Sequence, residues 1–86
     1  MSTLSNNQVK SLRSKAHHLK PIVTVGIAGA TSKVIAELNL ALDTHELVKV
    51  RLPTVPKAEK KDLISLLCSS TVATSIQLIG RIAIIY

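Results

Sequence analysis

Stretches of helical and of strand periodicity alternate along this chain, and most changes of period are marked by proline or glycine. This alternation restricts the fold more than any other feature, because strand–helix–strand passages join parallel strands by right-handed crossovers. The first helix is announced by Ser5 and Gln8 at capping-box spacing, with Leu4 and Val9 where a hydrophobic staple would place them. Val9, Leu12 and Ala16 recur at helical spacing, while Lys10, Arg13, Ser14 and His17 take another face. Pro21 is expected to stop this helix, since the residue before a proline is pushed out of the helical region.

Ile22-Val23-Thr24-Val25 then reads as a short buried strand ending at Gly26. A second helix, capped by Thr31 or Ser32, carries Val34, Ile35, Leu38, Ala41 and Leu42 as its apolar stripe. Lys33 and Glu37 would form an i,i+4 pair on its outer side. From Leu47 to Leu52 the alternation is strict, with Val48, Val50 and Leu52 on one face and Lys49 and Arg51 on the other. Pro53 and Pro56 bracket a turn into a third helix from about Lys57 to Ser69, with Leu63, Ile64, Leu66 and Leu67 inward. Lys57, Lys60 and Lys61 crowd its first turns, where the helix dipole prefers acids.

Two strands, Ser75–Ile79 and Ile82–Tyr86, flank Gly80-Arg81 as a tight hairpin. Ile82-Ala83-Ile84-Ile85 does not alternate, so this strand is expected at the centre of the sheet with both faces covered. The expected fold class is α/β, in the order α-β-α-β-α-β-β, with a mixed four-stranded sheet. At 86 residues the chain has room for one domain, 1–86.

Eleven Lys and Arg against five Asp and Glu give a net charge of +6, which points to a polyanionic partner, nucleic acid before an anionic membrane. The apolar content is almost all Ile, Leu, Val and Ala, and Tyr86 is the only aromatic residue. Base stacking on aromatic platforms is therefore not available to it. Cys68 is the only cysteine, which excludes an intrachain disulfide framework, and it reads as a small core residue. Met1-Ser2-Thr3-Leu4-Ser5-Asn6-Asn7 lacks the basic and apolar regions of a signal peptide, and no apolar run is long enough to span a bilayer. A cytoplasmic setting without a membrane is the expectation.

Gly26-Ile27-Ala28-Gly29 lies between a strand and a capped helix. Glycines at both ends permit positive φ and let a ligand approach the main chain, and the free N–H groups of the following helix favour an anion there. Lys20 precedes the strand, Lys33 enters the helix, and the first helix brings Lys10, Arg13, Lys15 and His17 nearby in sequence. Such a loop ringed by cations suits a phosphate backbone better than a base edge. The loop lacks the Gly-Lys-Ser/Thr end of a P-loop, and no nucleophile elbow or zincin helix is present. Adjacent His17 and His18 diverge on a helix; His17 and His45 are expected to hydrogen-bond to backbone. No enzyme activity, metal or cofactor is expected.

Ala16-His17-His18-Leu19-Lys20-Pro21-Ile22-Val23 followed by Gly26-x-x-Gly29 closely resembles the hallmark stretch of the CRM-domain (YhbY-like) RNA-binding proteins. The likeness continues through Ala41-Leu42-Asp43-x-His45-Glu46-Leu47-Val48-Lys49-Val50 to Ile79-Gly80-Arg81 before the closing strand. The resemblance implies a domain similar to the C-terminal domain of translation initiation factor three, with sheet order 1-2-4-3 and the fourth strand antiparallel. Single-domain bacterial members are associated with precursors of the large ribosomal subunit, and plant organelle members with group II intron splicing. In that family the G-x-x-G loop belongs to the RNA-binding surface. Carried over here, it implicates Gly26, Ile27, Ala28 and Gly29, with Lys20 beside them; the flanking charges add Lys33, Lys10 and Arg13. Ile27-Ala28 brings no polar side chain, so backbone amides and nearby lysines would make the contact. The implied partner is structured RNA, specifically ribosomal RNA in pre-large-subunit particles, met by a monomer. The alternative is a protein-interaction module whose basic face meets an acidic partner.

Overall fold

A computed structural model describes residues 4–86; Met1–Thr3 of the leader reading lie outside the described residues. The elements are α1 (Asn6–Ala16), β1 (Pro21–Thr24), α2 (Ser32–His45), β2 (Val48–Arg51), α3 (Lys57–Thr71), β3 (Ser75–Ile79) and β4 (Ile82–Ile85). The capping box forms: the Ser5 hydroxyl accepts from the Gln8 amide at 3.2 Å, and the Ser5 amide donates to Gln8 Oε1 at 2.8 Å. Leu4 and Val9 pack against the same small core cluster, as a staple requires. The helix does not run on to Pro21. It ends at Ala16, where the amides of His17, His18 and Leu19 reach back three residues to Ser14, Lys15 and Ala16. Pro21 instead opens β1, an edge strand in which a missing donor at the first position is tolerated.

The sheet order is β1-β2-β4-β3, with β1 and β2 parallel and β4 antiparallel to both of its neighbours. Ile82 to Ile85 thus occupies an interior position, and Ala83, Ile84 and Ile85 are all buried. Side-chain alternation sends them to opposite faces. Ala83 and Ile85 join Val23, Val25, Leu38, Val48, Val50, Leu52, Ile64 and Leu67 in the main core, against α2 and α3. Ile84 joins Leu12, Ala16, Leu47 and Ile76 in a smaller cluster under α1. Complete burial of Leu38, Leu52, Leu67 and Ile85 stabilises the fold by about 1.5–3 kcal/mol per side chain relative to exposure.

Thr31, not Ser32, caps α2: its hydroxyl accepts from the Val34 amide at 3.3 Å. Lys33 and Glu37 are both exposed, and no ion pair joins them among the described residues. In α3 the expected inward set needs one correction, because Leu66 is 50% exposed whereas Ile64 and Leu67 are buried. Three residues per turn of apolar character exceed the stripe that one sheet face covers. α3 extends two residues past Ser69 to Thr71 and ends on Val72 in the left-handed region, φ 54° and ψ 44°. No helix among the described residues is long and apolar enough to cross a membrane.

Candidate nucleic-acid interface

Parallel strands deliver their carboxyl ends to one edge of a sheet, and ligands of open α/β folds gather outside those ends. Here β1 and β2 finish side by side, tied by a 2.8 Å hydrogen bond from the Val25 amide to the Arg51 carbonyl. Gly26-Ile27-Ala28-Gly29 leaves this edge as a tight turn closed by the Gly29 amide donating to the Gly26 carbonyl at 2.9 Å. Ile27 projects into solvent, 96% exposed.

The two glycines answer different demands. Gly29 adopts φ +78°, and a Cβ there would stand 3.3 Å from Leu63 Cδ2 on α3. Backbone conformation and packing both favour glycine at this position. Gly26 has no positive φ, and a Cβ added to it would meet nothing within 4 Å. Nothing among the described residues requires glycine at position 26.

Thr31 and its carbonyl satisfy the amides of Val34 and Ile35. The amides of Ile27, Ala28, Ser32 and Lys33 have no acceptor among the described residues. These donors flank the turn and the positive end of the α2 dipole. Cations share the same end of the sheet. Arg51 is the last residue of β2, and Lys57, Lys60 and Lys61 lie in the first turns of α3, which starts just beyond. Across from Arg51, the β3–β4 turn brings Gly80 and Arg81 to this edge. Glu59 and Asp62 are the acids carried by the same stretch of α3. Among the described residues no group of three or more His, Cys, Asp or Glu could hold a metal ion.

The CRS1 / YhbY (CRM) domain description matches residues 4–86 of this chain. The chain is a member of that family. It is 40% identical over 86 residues to an RNA-binding protein of Haemophilus influenzae, covering 100% of this chain and 87% of that protein. A probable RNA-binding protein of Pseudomonas aeruginosa is 39% identical over 83 residues, covering 96% of this chain and 80% of the relative. The solution structure of a hypothetical protein from Staphylococcus aureus superposes with a TM-score of 0.86 at 32% identity, covering 98% of this chain and 88% of the other.

Within this CRM domain the expected site residues divide spatially. Gly26, Ile27, Ala28, Gly29 and Lys33 come together at the carboxyl end of β1. Lys20 does not join them. It stands before the first residue of β1 and borders a hollow with Leu19, Ile22, His45 and Leu47. An extended strand separates it from Gly26 by about 20 Å. Lys10 and Arg13 are exposed on α1, whose buried side rests against Ile76 and Ile84 on the opposite sheet face from α2 and α3. His17 and His45 are exposed and make no side-chain hydrogen bond among the described residues, so the bonds expected of them to backbone do not form.

From the sequence, Arg51 and Lys60 remain open between a solvated face and a contact, and Arg81 is not singled out; the fold places all three at this edge. The Lys60 ammonium donates to the Gly80 carbonyl at 3.1 Å, twenty positions away in sequence, and Arg81 Nε donates to the Leu52 carbonyl at 3.0 Å. The crowding of lysines at the unfavourable end of α3 was the available signal. The Gly80 bond gives Lys60 a partner away from the helix dipole. Cys68 is half-buried on α3, and desolvation pushes its thiol pKa up, the setting of a packed and unreactive side chain.

Proposed function

We propose that this CRM domain binds structured RNA through the backbone amides of its glycine turn and the cations around it, as an assembly factor on precursors of the large ribosomal subunit. The observation that carries this reading is Gly26. A glycine needed by neither backbone nor packing leaves room for an external group to approach the main chain, and unpaired amides wait beside it. Phosphate oxygens suit such donors, and a net charge of +6 brings a polyanion to them. The relatives named as RNA-binding proteins support the same partner. Readout by shape and phosphate follows from the absence of stacking aromatics near the turn. The domain acts without cofactor or catalysis, as a cytoplasmic monomer.

Gly26, Ile27, Ala28, Gly29 and Lys33 form the centre of this footprint. Lys20, Lys10 and Arg13 lie away from it, where an extended RNA would reach them. The test is equilibrium binding to pre-ribosomal RNA across a salt series. Log affinity should fall linearly with log salt, with a slope of a few units. Changing Lys20 and Lys33 to Glu should weaken binding while the melting temperature holds. Salt-independent affinity, or full affinity in that variant, would defeat the proposal. In a lysate, co-sedimentation with large particles should vanish on RNase treatment; a complex that survives would favour an acidic protein partner instead.

A further inference from the structure

At the β3–β4 turn two cations, Lys60 of α3 and Arg81 of the turn itself, have side chains held by main-chain carbonyls instead of by acids. Lys60 Nζ donates to the Gly80 carbonyl at 3.1 Å and Arg81 Nε donates to the Leu52 carbonyl at 3.0 Å. Because Gly80 and Arg81 are consecutive, the Lys60 ammonium is seated on the residue next to Arg81, whose own guanidinium reaches across to the Leu52 carbonyl. The Leu52 amide closes the arrangement by donating to the Arg81 carbonyl at 2.7 Å. Neither cation is neutralised: no carboxylate pairs with Lys60 or Arg81 among the described residues, although Glu59 and Asp62 occupy the same helix. Each bond leaves donors to spare, two N–H on the ammonium and the terminal nitrogens of the guanidinium. Anchoring also lowers the side-chain entropy that such long residues lose on gripping a ligand.

We infer that Lys60 and Arg81 form a second phosphate seat for the RNA backbone, separate from the glycine turn and at the same end of the sheet. The inference rests on the RNA reading above and adds a point of attachment to it. Arg51, paired across β2 and β4 with Ile82, lies between the two seats. A backbone held at both ends of this edge has a fixed direction across the carboxyl ends of the strands, which one seat alone would not impose. A brace that only stiffens the hairpin is the competing explanation. Such a brace would change stability and leave the salt dependence of RNA binding untouched.

The experiment measures binding of one RNA hairpin to the whole chain over a salt series for Lys60→Met, Arg81→Met and, as the charge-retaining control, Arg81→Lys. Each of the first two should lower the magnitude of the log–log slope by about 0.7–0.9 and weaken binding about four- to sixfold at 0.15 M salt. Arg81→Lys, which retains the charge without the Nε bond, should keep the slope. Should Arg81→Met fail to fold, Lys60→Met alone decides, since it gives up a single solvent-exposed hydrogen bond. Wild-type binding with unchanged slopes in the Met variants overturns this inference alone. A wild type whose binding ignores salt overturns the RNA reading and this inference with it. Inorganic phosphate followed by amide chemical shifts should perturb Gly80 and Arg81 only weakly; saturation by phosphate that RNA fails to displace would also overturn it.

Discussion

Alanine at the two ends of the glycine turn should separate folding from binding. Gly29 sits at φ +78° with its missing Cβ 3.3 Å from Leu63 Cδ2. Placing an L side chain in the left-handed region costs about 1–2 kcal/mol, and the Leu63 methyl must yield by a few tenths of an ångström. For a domain of this size 1 kcal/mol shifts Tm by about 4–8 °C, so Gly29→Ala should melt roughly 4–16 °C lower by the same scaling. At Gly26 a Cβ meets nothing and φ is not positive. Gly26→Ala removes freedom from the unfolded chain and should stabilise by about 0.4–1 kcal/mol, a rise of a few degrees. The same methyl would stand between a phosphate and the turn. Loss of one charge-assisted hydrogen bond, at about 1.5–3 kcal/mol, should weaken RNA binding by about tenfold or more. Thermal melts and fluorescence-anisotropy titrations of the two variants complete the test. A Gly26→Ala protein that melts as low as Gly29→Ala, or that binds as tightly as wild type, would refute the reasoning.

Val72 is a β-branched residue at φ 54° and 95% exposed, so Val72→Gly should relieve strain with little packing lost and raise stability by about 1 kcal/mol in a denaturant melt. Thr31→Ala removes the hydroxyl that accepts from the Val34 amide, and a loss of about 1 kcal/mol by the same assay is expected. Burial raises the Cys68 pKa, so alkylation in the native state should be slower than for a free thiol and should accelerate on unfolding. In linkage terms, the folded state favours the neutral thiol. That contribution to stability is fully present below the ordinary thiol pKa and disappears as pH rises through the elevated folded value.

Much of the architecture was legible because local signals and tertiary packing agree. The Ser5–Gln8 box, the unbroken apolar run Ile82–Ile85 and the alternating Val48–Leu52 each have one reading that satisfies both pattern and burial. Discrepancies arise where burial depends on a neighbour distant in sequence. Leu66 has the same apolar side chain as Leu67, yet only the position of the sheet decides which is covered. Lys20 precedes the glycine turn by a few residues, but a strand is the longest route per residue that a chain takes, so sequence neighbours end far apart. Lys60 and Arg81 show the converse, since they meet one turn only after β4 pairs with β2. The candidate site was thus visible in its glycine loop and Lys33, and hidden in the cations that strand pairing and α3 bring to the same edge.

Placing β4 between β2 and β3 has a consequence for biosynthesis. A nascent chain that has emerged only as far as Ile79 holds β1 and β2 as one pair and β3 with no strand to pair with. Only once Ile82–Ile85 has been translated and released can the two portions be zipped together. Closure therefore awaits the codons for Ile82–Ile85, and a ribosome stalled before them would carry an incomplete sheet whose strand edges are open to misassociation.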